Sequence, residues 1–581
     1  MLRVCRGRWG RGLVSLMLLF VLVSCVRSRE DPPRVSPFDI RVVSRGEVEV
    51  VCAPPGSGEQ PRTEAPDVRY STSPVTAGTW NDARAIGPWL PVIVNGTPKL
   101  QASLRGLPPT LHYLAAKTCG QVFASLSPAA TVLPLRETIL HGRRGGHYFG
   151  HALALVGDVN GDGYGDLLVG APWSDEGLEG RRPAHVRWVR GLLRRLGITL
   201  HGTKAGAAYL FLGGPKGPAS TPAWVLLGKA EGDFLGSVVA GVGDLNGDGY
   251  ADFAVGIPGF DTELRNEGAV AIYFGRRGPL PSEPDLRLVG RTRDESFGSA
   301  IAGGDLNGDG YADLVVGAPG SNLGQVNGGA VSVFYGGPRG LSTSPGTVLI
   351  GKTLDGLFGS AVAAVGDVNW DGYGDLLVGA YEGVADPTAA GAVYLYYGGP
   401  RGLSPTPALV LRGRKGGEQF GSALAALGDV NGDGFSDFAV GARKNDDAGE
   451  DAGAVFIYHS ARGGPSPEPR AILRGPAPGG QFGAALAGVG DLNGDGYADL
   501  LVGAFNAGGA GQGAVFLYVG GAKGLGEKSA LELHGRHPGA HFGRAVVGGA
   551  DLDGDKQLDF AVGSEGERAR GREAGAAFVR Y

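Results

Sequence analysis

The chain has 581 residues, 43% hydrophobic and 19% charged, with a formal net charge of -5. That length exceeds one ordinary domain, and that balance excludes a disordered chain, which needs low hydrophobicity and high net charge. Glycine reaches 107 residues without a collagen-like triplet period, so the excess signals many tight turns, and the acidic total argues against nucleic acid as a partner.

Arg3, Arg6, Arg8 and Arg11 form a positive leader, followed by an apolar run from Leu13 to Val23 that is too short to span a bilayer. The run ends in Leu22-Val23-Ser24-Cys25, which resembles the lipobox of bacterial lipoproteins. The resemblance implies that residues 1–24 are a signal peptide and that Cys25 is lipidated. Acyl chains, at about 0.8 kcal/mol per buried methylene, would then anchor the chain to a membrane in the periplasm, at the outer membrane or at the cell surface. The alternative is an ordinary secretory signal with a chance cysteine, and both readings export the chain. Residues 25–34 are polar and read as a tether.

From residue 35 to 132 the pattern is one of short alternating strands, with FDIRVV and EVEVVCA as a first hairpin. DVRYSTSP from Asp67 and LQASLRGLPPTLHYLAAKTCG from Leu100 resemble fibronectin type III domains. That resemblance implies a β-sandwich with Tyr113 as its corner tyrosine and with Cys52 and Cys119 on different strands. An exported chain permits a disulfide between these cysteines, and two buried thiols are the alternative. Such modules act as spacers or as binding platforms.

An acidic loop then recurs seven times: DVNGDGYGD, DLNGDGYAD twice, DVNWDGYGD, DVNGDGFSD, DLNGDGYAD and DLDGDKQLD. The loops begin at Asp158, Asp244, Asp305, Asp367, Asp429, Asp491 and Asp551, and after the first gap the spacing is 60 to 62 residues. A fixed period of this size means one structural unit repeated. Around the fifth loop the order is strand ALVLRG, turn RKGGEQ, strand FGSALAALGDV, acidic loop, strand FAVGAR, loop, strand GAVFIYHS. Four antiparallel strands per repeat predict an all-β fold, with residues 135–581 forming a seven-bladed β-propeller. A solenoid needs capping units, and none is visible. The last unit stops at GAAFVRY without an outer strand, and Glu137–His141 (ETILH) is a spare strand of the matching type. It is expected to complete the last blade and close the ring, hiding an edge.

Phe149-Gly150, Phe297-Gly298, Phe358-Gly359, Phe420-Gly421, Phe482-Gly483 and Phe542-Gly543 precede the acidic loops, and Gly170-Ala171-Pro172 and Gly317-Ala318-Pro319 follow them. These look like FG-GAP repeats, as in the propeller of integrin alpha subunits. Unit two departs with Leu235-Gly236 and Gly256-Ile257-Pro258, and units four to seven lose the proline, as in Gly379-Ala380-Tyr381. The departures touch turn rigidity and leave the acidic loops intact. The resemblance implies that the acidic loops lie on the face opposite the ligand surface and stabilise rather than catalyse, and that the chain serves binding rather than chemistry.

Each loop places oxygen side chains at positions 1, 3, 5 and 9 and a backbone carbonyl at position 7. In the first loop these are Asp158, Asn160, Asp162, Tyr164 and Asp166; in the second, Asp244, Asn246, Asp248, Tyr250 and Asp252. The third offers Asp305, Asn307, Asp309, Tyr311 and Asp313, and the fourth Asp367, Asn369, Asp371, Tyr373 and Asp375. The fifth offers Asp429, Asn431, Asp433, Phe435 and Asp437, and the sixth Asp491, Asn493, Asp495, Tyr497 and Asp499. The seventh offers Asp551, Asp553, Asp555, Gln557 and Asp559. An all-oxygen set without His or Cys fits calcium, up to seven ions, better than zinc, and magnesium demands tighter octahedral geometry. Position 12 lacks the glutamate of an EF-hand and the flanks are strands, which argues against that motif. The competing reading is that Asp and Asn build tight turns without metal. The seventh loop carries an extra acid, Asp553, and Lys556 where the others have glycine, so its affinity is expected to differ.

No HExxH pair, GxSxG elbow or CxxC is present, so the chain reads as a non-enzyme. The expected ligand face is built from the loops before FG and after GAP. One of these, Trp173 to Ala205, is enlarged and contains Arg187, Trp188, Arg190, Arg194 and Arg195. It is read either as a grip for an acidic partner, glycan or membrane, or as an amphipathic helix with solvated arginines. The leading function is a calcium-bound, lipid-anchored adhesion-type module for a protein or glycan partner. A propeller scaffold of an envelope hydrolase and an architectural envelope protein are the alternatives.

Overall fold

The computed structural model describes the strands between Phe38 and Ala124 and residues 136–178, 204–381, 389–569 and 572–581. Cys25, Cys119 and the five insert residues Arg187, Trp188, Arg190, Arg194 and Arg195 lie outside the described residues, as do the expected leader and tether. The chain forms two compact units that divide between Arg136 and Glu137.

The first unit contains β1 (Phe38–Ser44), β2 (Glu47–Cys52), β3 (Asp67–Ser71), β4 (Arg84–Ile86), β5 (Trp89–Val94), β6 (Thr97–Ser103), β7 (Tyr113–Thr118) and β8 (Gln121–Ala124). They form two four-stranded antiparallel sheets, ordered β1-β2-β6-β5 and β4-β3-β7-β8. The expected first hairpin is present, with Phe38 opposite Cys52 and Val42 opposite Val48. Cys52 ends β2 in one sheet, and Tyr113 opens β7 in the other.

The second unit opens with β9 (Glu137–His141) and continues as seven four-stranded antiparallel sheets, the blades of a β-propeller. Blade 2 is representative: Val239–Gly243, Asp252–Ile257, Ala269–Tyr273 and Leu286–Val289 pair in sequence order. Second strands such as Asp252–Ile257 and Asp375–Ala380 are buried along their whole length, because a neighbouring blade covers each face. That double burial explains their runs of Leu, Val, Ala and Phe without polar alternation.

Blade 7 is made of Phe542–Ala550, Asp559–Ser564, Ala576–Arg580 and β9. Ala576 faces His141, Phe578 faces Ile139 and Arg580 faces Glu137, so the spare strand closes the ring as expected.

The FG and GAP residues have a shared packing role. The phenylalanines, and Leu235 in the second unit, are buried. Phe420 meets Phe456 edge-on at 5.1 Å, and Phe542 meets Phe578 likewise at 5.2 Å. The glycine of each GAP abuts the FG glycine of the next blade: a Cβ on Gly170 would stand 2.0 Å from the Gly236 carbonyl oxygen. One on Gly563 would stand 2.0 Å from that of Gly150, which carries the contact across the ring closure. Only glycine permits this approach of two backbones.

Candidate metal centres

Strands alternate in direction, so each acidic loop, joining first and second strands, lies at one end of its blade. The second-to-third and fourth-to-first connections lie at the other end, here the upper one.

In the first loop, Asp158 folds back over the chain. Its Oδ1 accepts N–H groups from Gly161 (2.7 Å) and Asp162 (3.0 Å), and its Oδ2 accepts from Gly163 (2.7 Å). Asn160 Oδ1 accepts from Asp162 N at 2.8 Å, and Asp162 Oδ1 accepts from Tyr164 N at 3.1 Å. Gly163 at position 6 has φ +89°, the left-handed turn that brings these groups together. The pattern repeats, with the Oδ2 of Asp244, Asp305, Asp367, Asp429 and Asp491 each accepting the position 6 N–H at 2.7 to 2.9 Å. Lys556 holds position 6 of the seventh loop at φ +69° and donates to Asp551 Oδ2 at 2.8 Å.

Position 9 is different in kind. Asp166 is fully buried; its Oδ2 accepts from Val159 N (3.0 Å) and its Oδ1 from Gly213 N (2.9 Å). It therefore ties the loop to the end of the third strand. Burial pushes the carboxyls of Asp166, Asp252, Asp375 and Asp437 up to about 7 and that of Asp313 to about 6. Backbone hydrogen bonds pull the other way, while the carboxylates at positions 5 and 1 add to the rise.

Asp559 stands apart, pushed up to about 8 by burial and by Asp553, Asp551 and Asp555. Its Oδ2 accepts from Leu552 N at 2.6 Å, whereas its buried Oδ1 has no hydrogen-bond partner. In this loop oxygens of Asp551, Asp553 and Asp559 lie within 4.8 Å of one another. The residues fit a hard divalent cation: the donors are all oxygen, the carboxylates are held at close quarters, and one buried oxygen is unsatisfied.

The aromatic residue at position 7 has a role that the sequence reading missed. It enters the prediction only as the bearer of a carbonyl, but its ring wedges against the preceding loop. A Cβ on Gly161 would stand 2.6 Å from Tyr250, and one on Gly247 2.4 Å from Tyr311. Across the ring closure, a Cβ on Gly554 would meet Tyr164 at 2.6 Å. In the fourth loop Trp370 replaces the glycine and packs on Phe435 at 5.5 Å. The signal was present: a carbonyl donor needs no particular side chain, yet six of the seven loops carry Tyr or Phe there.

At the upper end, the described root of the enlarged loop is Trp173, whose ring lies 4.9 Å from Tyr148, 5.4 Å from His151 and 6.0 Å from Phe234. Glu565 of blade 7 reaches His151 of blade 1 at 2.6 Å, His541 at 3.3 Å and Arg544 at 3.6 Å.

The FG-GAP repeat model matches residues 149–189, 235–273, 297–334, 358–396, 420–458 and 482–518. Blades 1 to 6 thus carry the matched segments, and blade 7, with Gly563-Ser564-Glu565 after its loop, does not. The chain is 37% identical over 224 residues to integrin alpha-5 of Xenopus laevis, covering 36% of this chain and 20% of that protein. It is 45% identical over 167 residues to integrin alpha-IIb of Mus musculus, covering 27% and 16%. Integrin alpha-V of Gallus gallus is 35% identical over 226 residues, covering 36% and 20%. The matched part thus spans a fifth or less of the length of these relatives. Six segments of the propeller thus match the FG-GAP repeat, and parts of the chain are similar to integrin alpha subunits.

Proposed function

We propose that this chain is an extracytoplasmic, membrane-anchored binding protein whose propeller holds up to seven calcium ions at its lower end and engages a protein or glycan partner at its upper end. The observation that supports it most is the repeated cage of oxygen donors, culminating in the unsatisfied buried oxygen of Asp559. Bound calcium would supply positive charge to carboxylates that otherwise repel one another. Positions 1, 3 and 5, the carbonyl at position 7 and the carboxylate at position 9 would hold it. Without the ion, backbone N–H groups and the position 3 asparagine amides, such as Asn160 Nδ2 donating to Asp162 Oδ2 at 2.9 Å, keep the loops folded. Anchoring at Cys25 is supported by the sequence preceding it, and a fibronectin type III-like role for the first unit by its two four-stranded sheets. A disulfide between Cys52 and Cys119 belongs to the same proposal.

Thermal unfolding with and without chelator tests the reading. Chelator lowers the melting temperature, calcium restores it, and magnesium at equal concentration restores less. A melt indifferent to chelator contradicts the calcium assignment.

A further inference from the structure

Six large hydrophobic side chains are exposed among the described residues, and five lie together at the upper outer edge of blades 2 and 3. They are Val289 (37% exposed), Leu323 (46%), Val326 (60%), Ile350 (42%) and Leu354 (61%). Leu323 and Val289 line one cleft together with Arg287 and Arg291. A Cβ on Gly324 would touch Ile350 Cγ2 at 2.7 Å, and the Val326 carbonyl accepts the N–H of Asp355, the residue after Leu354, at 2.9 Å.

The repeat supplies its own control. The Arg265 carbonyl in blade 2 accepts from Asp294 N at 2.8 Å, and the Glu450 carbonyl in blade 5 accepts from Gly479 N at 2.8 Å, so Arg265, Val326 and Glu450 share one backbone frame. One turn earlier, Asp261 Oδ1, Asn322 Oδ1 and Asp446 Oδ1 accept the N–H of Asn266, Asn327 and Asp451, which aligns Thr262, Leu323 and Asp447. Arg265 is ion-paired with Asp294 at 2.7 Å and Asp447 with Lys415 at 2.6 Å. At the end of the fourth strand, Ile350 stands opposite Ala330 just as Arg412 stands opposite Ala392 and Arg474 opposite Ala454. The fold therefore accepts charged residues at these positions, and folding does not account for the apolar ones in blade 3. A contiguous apolar patch with that history marks an interaction surface.

The rim sets the partner's charge. Arg291 and Lys352 make no ion pair among the described residues. Of the nearby acids, Asp294 is ion-paired with Arg265, and Glu295 is buried, accepting from Thr292 at 2.7 Å. Asp355, which accepts from Asn327 Nδ2 at 2.8 Å, keeps its charge but is outnumbered by exposed Arg291, Arg293 and Lys352. We propose that this edge of blades 2 and 3 docks a protein partner through apolar side chains flanked by carboxylates. The inference rests on the reading of the chain as a binding protein and names the chemistry of its partner.

Fluorescence polarisation with the full chain and two pools of short labelled peptides tests it. One pool is randomised over Leu, Phe, Asp and Glu, the other over Leu, Phe, Lys and Arg. The acidic pool binds and the basic pool does not. Leu323→Asp and Val326→Arg, which install the residue types of blades 5 and 2, weaken binding at least about tenfold with the melting temperature retained. Equal binding of both pools, no binding of either, or binding unchanged in the folded variants overturns the proposal. So does sedimentation showing a dimer that these substitutions dissolve, since the patch would then serve a second copy. A chelator-insensitive melt would sink the calcium reading and leave this result untouched. Capture of a partner by both variants would sink the patch and leave the binding reading standing.

Discussion

Arg580 Nη2 donates to Glu137 Oε2 at 2.9 Å although 443 positions separate the two residues in sequence. Arg536 Nη2 holds the other oxygen of the same carboxylate at 2.9 Å. The pair sits on the join of β9 to the last blade, where Leu140 is buried between strands.

Truncating Leu140 therefore strikes the ring closure. Leu140→Ala is expected to cost about 2–5 kcal/mol of stability, the range for emptying a buried leucine site. Denaturant unfolding measures it. Glu137→Gln, at a half-exposed ion pair, should cost well under half as much.

The wedge between neighbouring loops predicts coupling. Gly161→Ala faces both a φ of +74° and the Tyr250 ring, so it should destabilise by about 1 kcal/mol or more. Combined with Tyr250→Ala, the steric part is relieved, and the double variant should be more stable than the sum of the single effects. Strict additivity in a double-mutant cycle would show that the ring and the glycine do not meet.

Most of the fold was legible because the chain states it seven times. Period, strand pattern and the spare strand ETILH together specify the blades and their closure, and the structure pairs Phe578 with Ile139 accordingly. Less legible was the division of labour within each loop. Asp158 and Asp166 look alike in sequence, yet one folds over an exposed turn and the other is buried beneath it, because burial depends on the third strand that contributes Gly213. The apolar edge of blades 2 and 3 was also hidden. Val289, Leu323 and Ile350 lie in three different segments, and only the blade geometry brings them side by side.

Lys556 occupies a left-handed position that glycine fills elsewhere. A non-glycine residue there costs about 1 kcal/mol, so Lys556→Gly should raise stability in calcium-free buffer by up to about that amount. Removing its ammonium should also tighten calcium at the seventh loop. Unfolding curves in chelator and in calcium separate the two effects.

Glu565 joins blade 7 to blade 1 and predicts an acid-sensitive seam. Burial works to raise its carboxyl, but hydrogen bonds from His151 and His541 and the charges of His151 and Arg544 outweigh it, holding the group well below the usual carboxylate range. A depressed carboxyl adds stability that is complete above the unfolded value of about 4.3 and is lost as pH falls through the folded value. Glu565→Gln should therefore cost about 1–3 kcal/mol near neutral pH. The gap to the parent should narrow at strongly acidic pH, as melting temperatures across pH will report.

Calcium counted on the protein itself is the most direct test. After equilibrium dialysis in calcium, elemental analysis should find several ions per chain, up to the seven that the loops allow. Asp551→Ala should remove one of them. Protein that retains no calcium above the level of the surrounding buffer would contradict the account.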